Sequence, residues 1–163
     1  MMQRKDVCPV CGMLAESEVP SVEDYKIYYH FCSAQCRQTF IARPSLYRLK
    51  LENSRSEVLK RRTMNLAEPL GKAGAELLTP RLMALMGVKE ALIAGDKIHI
   101  TYNLLEVTEK QIEEVLLEVG LVLGDGWLAN FRRGWIHDSE ENELDNLAAP
   151  PPSSYTHISP KKY

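Results

Sequence analysis

The sequence predicts an α+β fold in two units: a small cysteine-nucleated module, then a βαββαβ sandwich with an extra C-terminal helix. Three observations carry that prediction. All four cysteines fall between Cys8 and Cys36, in the close pairs CPVC and CSAQC. From residue 75 onward, strand-like and helix-like apolar patterns follow one another as strand, helix, strand, strand, helix, strand. Residues 49–74, between the two units, read as linker or helix from their charges, proline and glycines.

Composition sets the outer limits. A chain of 163 residues holds one medium domain or two small ones, and 45% hydrophobic with 26% charged residues is ordinary for a globular protein. A net charge of −2 gives no global attraction to nucleic acid or to a membrane surface. The N-terminus, MMQRKDVCPVCG, has no apolar run behind its charges and does not read as a secretory signal. No segment approaches the roughly 18 apolar residues of a membrane span. The expected address is the cytoplasm, where paired cysteines more often hold metal than form bridges.

In residues 1–48, Cys8, Cys11, Cys32 and Cys36 supply four thiolates in two pairs. That set suits a closed tetrahedral zinc site, with Cu(I) and iron as alternatives because thiolate is a soft ligand. Pro9 stiffens the turn between the first two ligands, and Gly12 is placed to take a positive φ just after them. Between the pairs, VPSVEDYKIYYHF reads as a strand, with Tyr28, His30 and Cys32 on one face and Ile27, Tyr29 and Phe31 on the other. A helix follows, with Cys36 in its first turn, where backbone N–H groups favour a negative metal–thiolate centre. Phe40 and Ile41 lie on its face, and Pro44 stops it. A module this small cannot fold on its own core, so metal supplies much of its folding free energy. Met13 and His30 are the further candidates: a thioether could meet Cu(I), and the imidazole could replace a cysteine. Packing and hydrogen bonding are their plainer roles.

Arg48, Lys50, Arg55, Lys60, Arg61 and Arg62, set against Glu52 and Glu57, read as a solvated helix or linker, or else as a basic patch. Only Tyr47 is near enough to stack on a base, so nucleic-acid binding is poorly supported. Asn65 to Gly74, with Pro69 and Gly71, reads as turn or linker and marks the domain boundary.

In residues 75–147, GAELL is a candidate short strand, and Thr79-Pro80 a helix start leading into RLMALM. VKEALIAGDKIHITYNL reads as two strands joined at Ala94-Gly95-Asp96, with Ile98, Ile100 and Tyr102 on one face. Thr108 and Gln111 form a capping box ahead of Ile112, Val115, Leu116 and Val119, and Gly120 closes that helix. LVL is a last short strand. The resulting order is that of a ferredoxin-like sandwich. WLANFRRGWIHDSEENELDNL adds a helix whose stripe, Leu128, Phe131, Trp135 and Leu144, docks on the sheet. The tail, 148–163, is rich in proline and serine and reads as disordered.

Two resemblances attach to these residues. DVCPVCGM followed by YYHFCSAQCRQTFIARPSLY, about residues 5–48, resembles the YHS/TRASH family, a treble-clef-like metal-binding module found alone and fused to metal transporters and sensors. The resemblance implies Cys11, Cys32 and Cys36 as core ligands, with Cys8 completing a closed set. MGVKEALIAGDKIHITYNLLEVTEKQIEEVLLEVGLVL is similar to the heavy-metal-associated (HMA) domain over about residues 79–123. Such domains bind metal through a CxxC before their first helix. The matching stretch here, ELLTPRLMALM, has no cysteine, so the likeness implies the fold and not the metal site. Met83 and Met86 lie in that stretch, at a spacing usual for core methionines.

No nucleophile–base set, phosphate loop or HExxH motif is present, and no enzyme is expected. The expected function is metal binding in heavy-metal homeostasis, trafficking or sensing, with a protein partner in metal transport or regulation. The alternatives are an adaptor folded by structural zinc and a nucleic-acid-binding treble clef, the last depending on Arg61 and Arg62.

Overall fold

The computed structural model describes residues 7–48, 57–124 and 127–149, with the side chains of Trp127 and Leu128 excepted. Lys50, Glu52, Arg55 and the tail beyond residue 149 lie outside them. The fold is mixed α/β with two antiparallel sheets.

The first sheet is a hairpin, β1 (Val22–Asp24) against β2 (Ile27–Tyr29). The single strand expected between the cysteine pairs is therefore folded back on itself. Tyr25 and Lys26 make the turn with φ of 49° and 62°, the left-handed pair that a tight two-residue hairpin requires. Helix α1 (Ala34–Ala42) and helix α2 (Pro44–Arg48) follow. Pro44 opens the second helix, where its missing N–H is harmless. Tyr29, Phe31 and Tyr47 gather round Phe40, with ring centroids 4.7, 5.3 and 6.2 Å away.

The second sheet has the order β3 (Leu59–Asn65), β5 (Lys97–Asn103), β4 (Val88–Ala94), all antiparallel. Gly95, with φ of 62°, turns β4 into β5. On the outer side of β3, Leu66 bridges Leu123, and backbone bonds join Ala67 to Val122 (2.8 Å) and Gly124 to Asn65 (2.8 Å). Ile98, Ile100 and Tyr102 are fully buried along one face of β5. Burying one such side chain is worth about 2 kcal/mol, against a few tenths for an exposed ion pair, so this face sets the register.

Strand β3 corrects the reading of 49–74 as linker or helix at residues 59–65, while 66–71 are irregular as expected and 49–56 lie outside the described residues. The inward positions of β3 are Lys60, Arg62 and Met64, so the apolar alternation that signals a strand is interrupted by charge. Carboxylates far along the chain neutralise it. Lys60 Nζ lies 2.6 Å from Glu143, and Arg62 lies 3.7 Å from Glu109 and 3.8 Å from Glu140. GAELL is likewise not a strand. Helix α3 (Lys72–Met83) starts at Gly71 and runs through Thr79-Pro80. The missing Pro80 N–H leaves one carbonyl of the preceding turn without its helical donor, while the Thr79 hydroxyl donates to Ala75 O at 2.8 Å.

Helix α4 (Glu109–Glu118) carries the expected capping box: Thr108 accepts from the Gln111 N–H, and Gln111 reaches back to the Thr108 N–H. Of the stripe expected on helix α5 (Trp127–Ala148), Leu144 is turned inward, but Phe131 and Trp135 are not. Phe131 and Trp135 are 66% and 70% exposed, whereas Glu140 and Leu144 are buried. The inward register is chosen by hydrogen bonding. The Tyr102 hydroxyl donates to Glu140 Oε1, and the Glu109 N–H donates to Glu140 Oε2 at 2.9 Å. One hydrophobic core joins the cysteine module to the sheet unit.

Candidate metal centre

The four cysteines converge. Their sulfur atoms all lie within 4.8 Å of one another, and all four are free thiols. Cys11 and Cys32 are 3.3 Å apart, and Cys32 and Cys36 are 3.7 Å apart. Zinc–sulfur bonds of about 2.3 Å place the corners of a tetrahedron about 3.8 Å apart, so the spacing fits one ion. Among the described residues, no other group of three or more histidine, cysteine or carboxylate side chains converges in this way.

Local chemistry builds each half. On the first loop, Val7 bridges Leu14, the Cys8 N–H donates to Met13 O, and the Gly12 N–H donates to Cys8 O, both at 2.8 Å. Gly12, with φ of 73°, makes that closure possible. The second half is a helix start. Ser33 is the N-cap of α1, and its hydroxyl accepts from the Cys36 N–H at 3.2 Å, which places Cys36 in the first turn. The Glu16 N–H donates to Phe31 O at 2.9 Å and ties the two halves together.

The site is closed on one side and open on the other. Cys8 and Cys36 are each 1% exposed, while Cys11 and Cys32 are half-buried. Thiols this close cannot all ionise without a cation. Hydrogen bonding to Cys11 and Cys36 pulls Cys8 far below the ordinary thiol range. Hydrogen bonding to Cys11 and Cys8, reinforced by burial, pushes Cys36 far above it. A bound dication would reverse that penalty and release the protons.

The other candidates separate from the cluster. Met13 is 57% exposed, not packed beneath the site. His30 is half-buried and is not one of the clustered ligands. His137 lies on α5, its Nε2 3.5 Å from Glu113. Among the described residues of the basic stretch, Lys60 and Arg62 are paired with carboxylates, and Arg48 lies 2.7 Å from Asp24. Arg61 is exposed, and Tyr47, the candidate base-stacking ring, is buried.

The sequence reading passed over two residues that position the site. Ser33, three residues before Cys36, is a legible N-cap signal. Gln35 carries no local signal. Its side chain bonds both backbone groups of Met86, donating to the carbonyl at 2.9 Å and accepting from the amide at 3.1 Å. The Tyr47 hydroxyl adds a 2.6 Å bond to Leu105 O. The ligand helix is thus fastened to the sheet unit.

Comparison with known proteins yields no matching family model, no matching curated protein and no matching solved structure. Among the described residues, no helix is long and apolar enough to cross a membrane.

Proposed function

We propose that this chain is a metal-binding protein of heavy-metal homeostasis, trafficking or sensing, acting in the cytoplasm through binding and not through catalysis. The carrying observation is the convergence of Cys8, Cys11, Cys32 and Cys36 within 4.8 Å. Zinc is the ion the thiolate set favours, with Cu(I) and iron as alternatives. In this reading the N-terminal unit is a treble-clef-like module of the YHS/TRASH kind. The knuckle at Cys8–Gly12 and the helix start at Ser33–Cys36 support it.

The second unit is read as a ferredoxin-like, HMA-related domain without its own cysteines, serving a protein partner. The support is the order of β3, α3, β4, β5, α4 and the Leu66–Leu123 bridge, with β3 and β5 central. The first strand of that order is Leu59–Asn65, upstream of the expected one.

A second reading, an adaptor whose zinc is structural, is favoured by the Gln35–Met86 bonds, which make the ligand helix part of the interface between the units. Exchange separates the two. Zinc removal by a graded series of chelators is followed alongside circular dichroism. Release without loss of the fold supports metal handling, and release only on unfolding supports the adaptor.

A further inference from the structure

Cys11, one of the two half-buried thiols, lines a cleft that also holds three methionines and the charged Glu57, Lys89 and Glu106. A cavity of about 620 Å³ runs between the first cysteine loop and the α3–β4 connection, and Cys11, Met13, Met83 and Met86 are on its walls. The chain has six methionines, of which Met1 and Met2 lie outside the described residues. Of the remaining four, only Met64 sits elsewhere, buried in the sheet core. Cys11 is the half-buried ligand on this side, and Met13 and Met83 are 57% and 43% exposed. Met13, Met83 and Met86 therefore share one cavity with Cys11.

The cleft is also preorganised. Gln35, the residue before Cys36, fixes the amide and carbonyl of Met86 at 3.1 and 2.9 Å. Gly87 follows with φ of 96°, and a side chain there would meet Glu106 Cβ at 2.7 Å and Val107 Cγ1 at 3.0 Å. The loop carrying Met86 is seated tightly against both units. Thioethers are poor ligands for zinc and good ones for soft monovalent ions.

We propose that Met13, Met83 and Met86 form an entry port for a soft monovalent cation of the Cu(I) class, which passes to Cys11 and so to the thiol cluster. The inference rests on the metal-binding reading of the four cysteines. Into an empty cluster the transfer is ligand exchange: thioether–metal bonds break as a bond to the Cys11 sulfur forms, the thiol proton leaves to water, and the ion keeps its charge of +1; with zinc in the cluster the ion stays at the port. No redox step is involved.

The probe is Ag(I), added in chloride-free buffer to the zinc-loaded full chain labelled with ¹³C at the methionine methyls. Zinc is counted on the same sample. Silver should shift the methyls of Met13, Met83 and Met86 and leave Met64 in place. In the triple variant Met13→Leu, Met83→Leu, Met86→Leu, silver capture from a competing chelator should weaken or slow by roughly tenfold, with zinc content unchanged. Bound zinc with unshifted methyls, or unaltered silver capture by the triple variant, overturns the port alone. A chain that holds neither zinc nor silver overturns the port together with the reading beneath it.

Discussion

The carboxamide of Gln35 holds both backbone polar groups of Met86, donating at 2.9 Å and accepting at 3.1 Å. Gln35 stands on the helix that presents Cys36, and Met86 stands on the loop entering β4. One side chain therefore couples the thiol cluster to the sheet unit.

Gln35→Ala should lower stability by about 2 kcal/mol, two ordinary hydrogen bonds, and shift the urea midpoint accordingly. Gln35→Glu keeps an acceptor for the Met86 amide and loses the donor to its carbonyl, so it should fall between. An unchanged midpoint in Gln35→Ala would mean that the units unfold independently.

The turn and cap that aim the cysteines make a second test. Ser33→Ala removes the acceptor of the Cys36 N–H and should cost about 1 kcal/mol. Gly12→Ala forces a Cβ into a positive φ and should cost a similar amount. Both losses should appear in zinc affinity as well as in the fold, because aligned sulfurs and folded backbone are one state. Full zinc affinity in a destabilised Ser33→Ala would separate the cap from the site.

Helix α5 should depend on its carboxylate more than on its aromatics. Glu140→Ala leaves the Tyr102 hydroxyl and the Glu109 N–H without their acceptor, and should cost about 3 kcal/mol. Trp135→Ala, on the exposed face, should cost under about 1 kcal/mol. Thermal unfolding of the two variants checks the ranking, and the reverse ranking would show that α5 docks through the other face.

Burial, then the neighbouring Glu140 and Glu113, raise the Glu109 carboxyl from 4.5 to about 7, with Arg62 and Arg132 opposing the rise. The folded chain keeps that proton to higher pH than the unfolded chain. The stability this group contributes is therefore complete below about pH 4.5 and is lost as pH rises through 7. Glu109→Gln mimics the protonated form. It should match the parent near pH 4.5 and exceed it by on the order of 2 kcal/mol above pH 7.5. Denaturation of both across that range reads the difference, and parallel curves would refute the raised carboxyl.

Some local signals in the sequence are accurate guides, while GAELL and Thr79-Pro80, read as a strand and a helix start, lie inside one helix, and long-range pairing is not legible. Within each cysteine pair, and within the Thr108–Gln111 box, the partners lie three or four residues apart, so that local geometry is written into the sequence itself. Strand β3 was hidden because the partners that allow Lys60 and Arg62 to point inward, Glu143, Glu109 and Glu140, sit on distant helices. The hairpin was hidden because Tyr25 and Lys26 adopt left-handed angles without asparagine or glycine to announce them. Phe131 and Trp135 suggested a docking stripe, but buried hydrogen bonds to Glu140 chose the face of Glu140 and Leu144. Gln35 was invisible for the same reason as β3: its partner is Met86, 51 residues away.

The central claim is one metal ion held by four sulfurs. Its most direct test is elemental mass spectrometry on the full chain purified under reducing conditions, beside Cys8→Ser and Cys36→Ser. The expected result is one zinc, or another soft metal, per chain, lost in either variant. A metal-free parent chain, or full metal retention in Cys36→Ser, would contradict it.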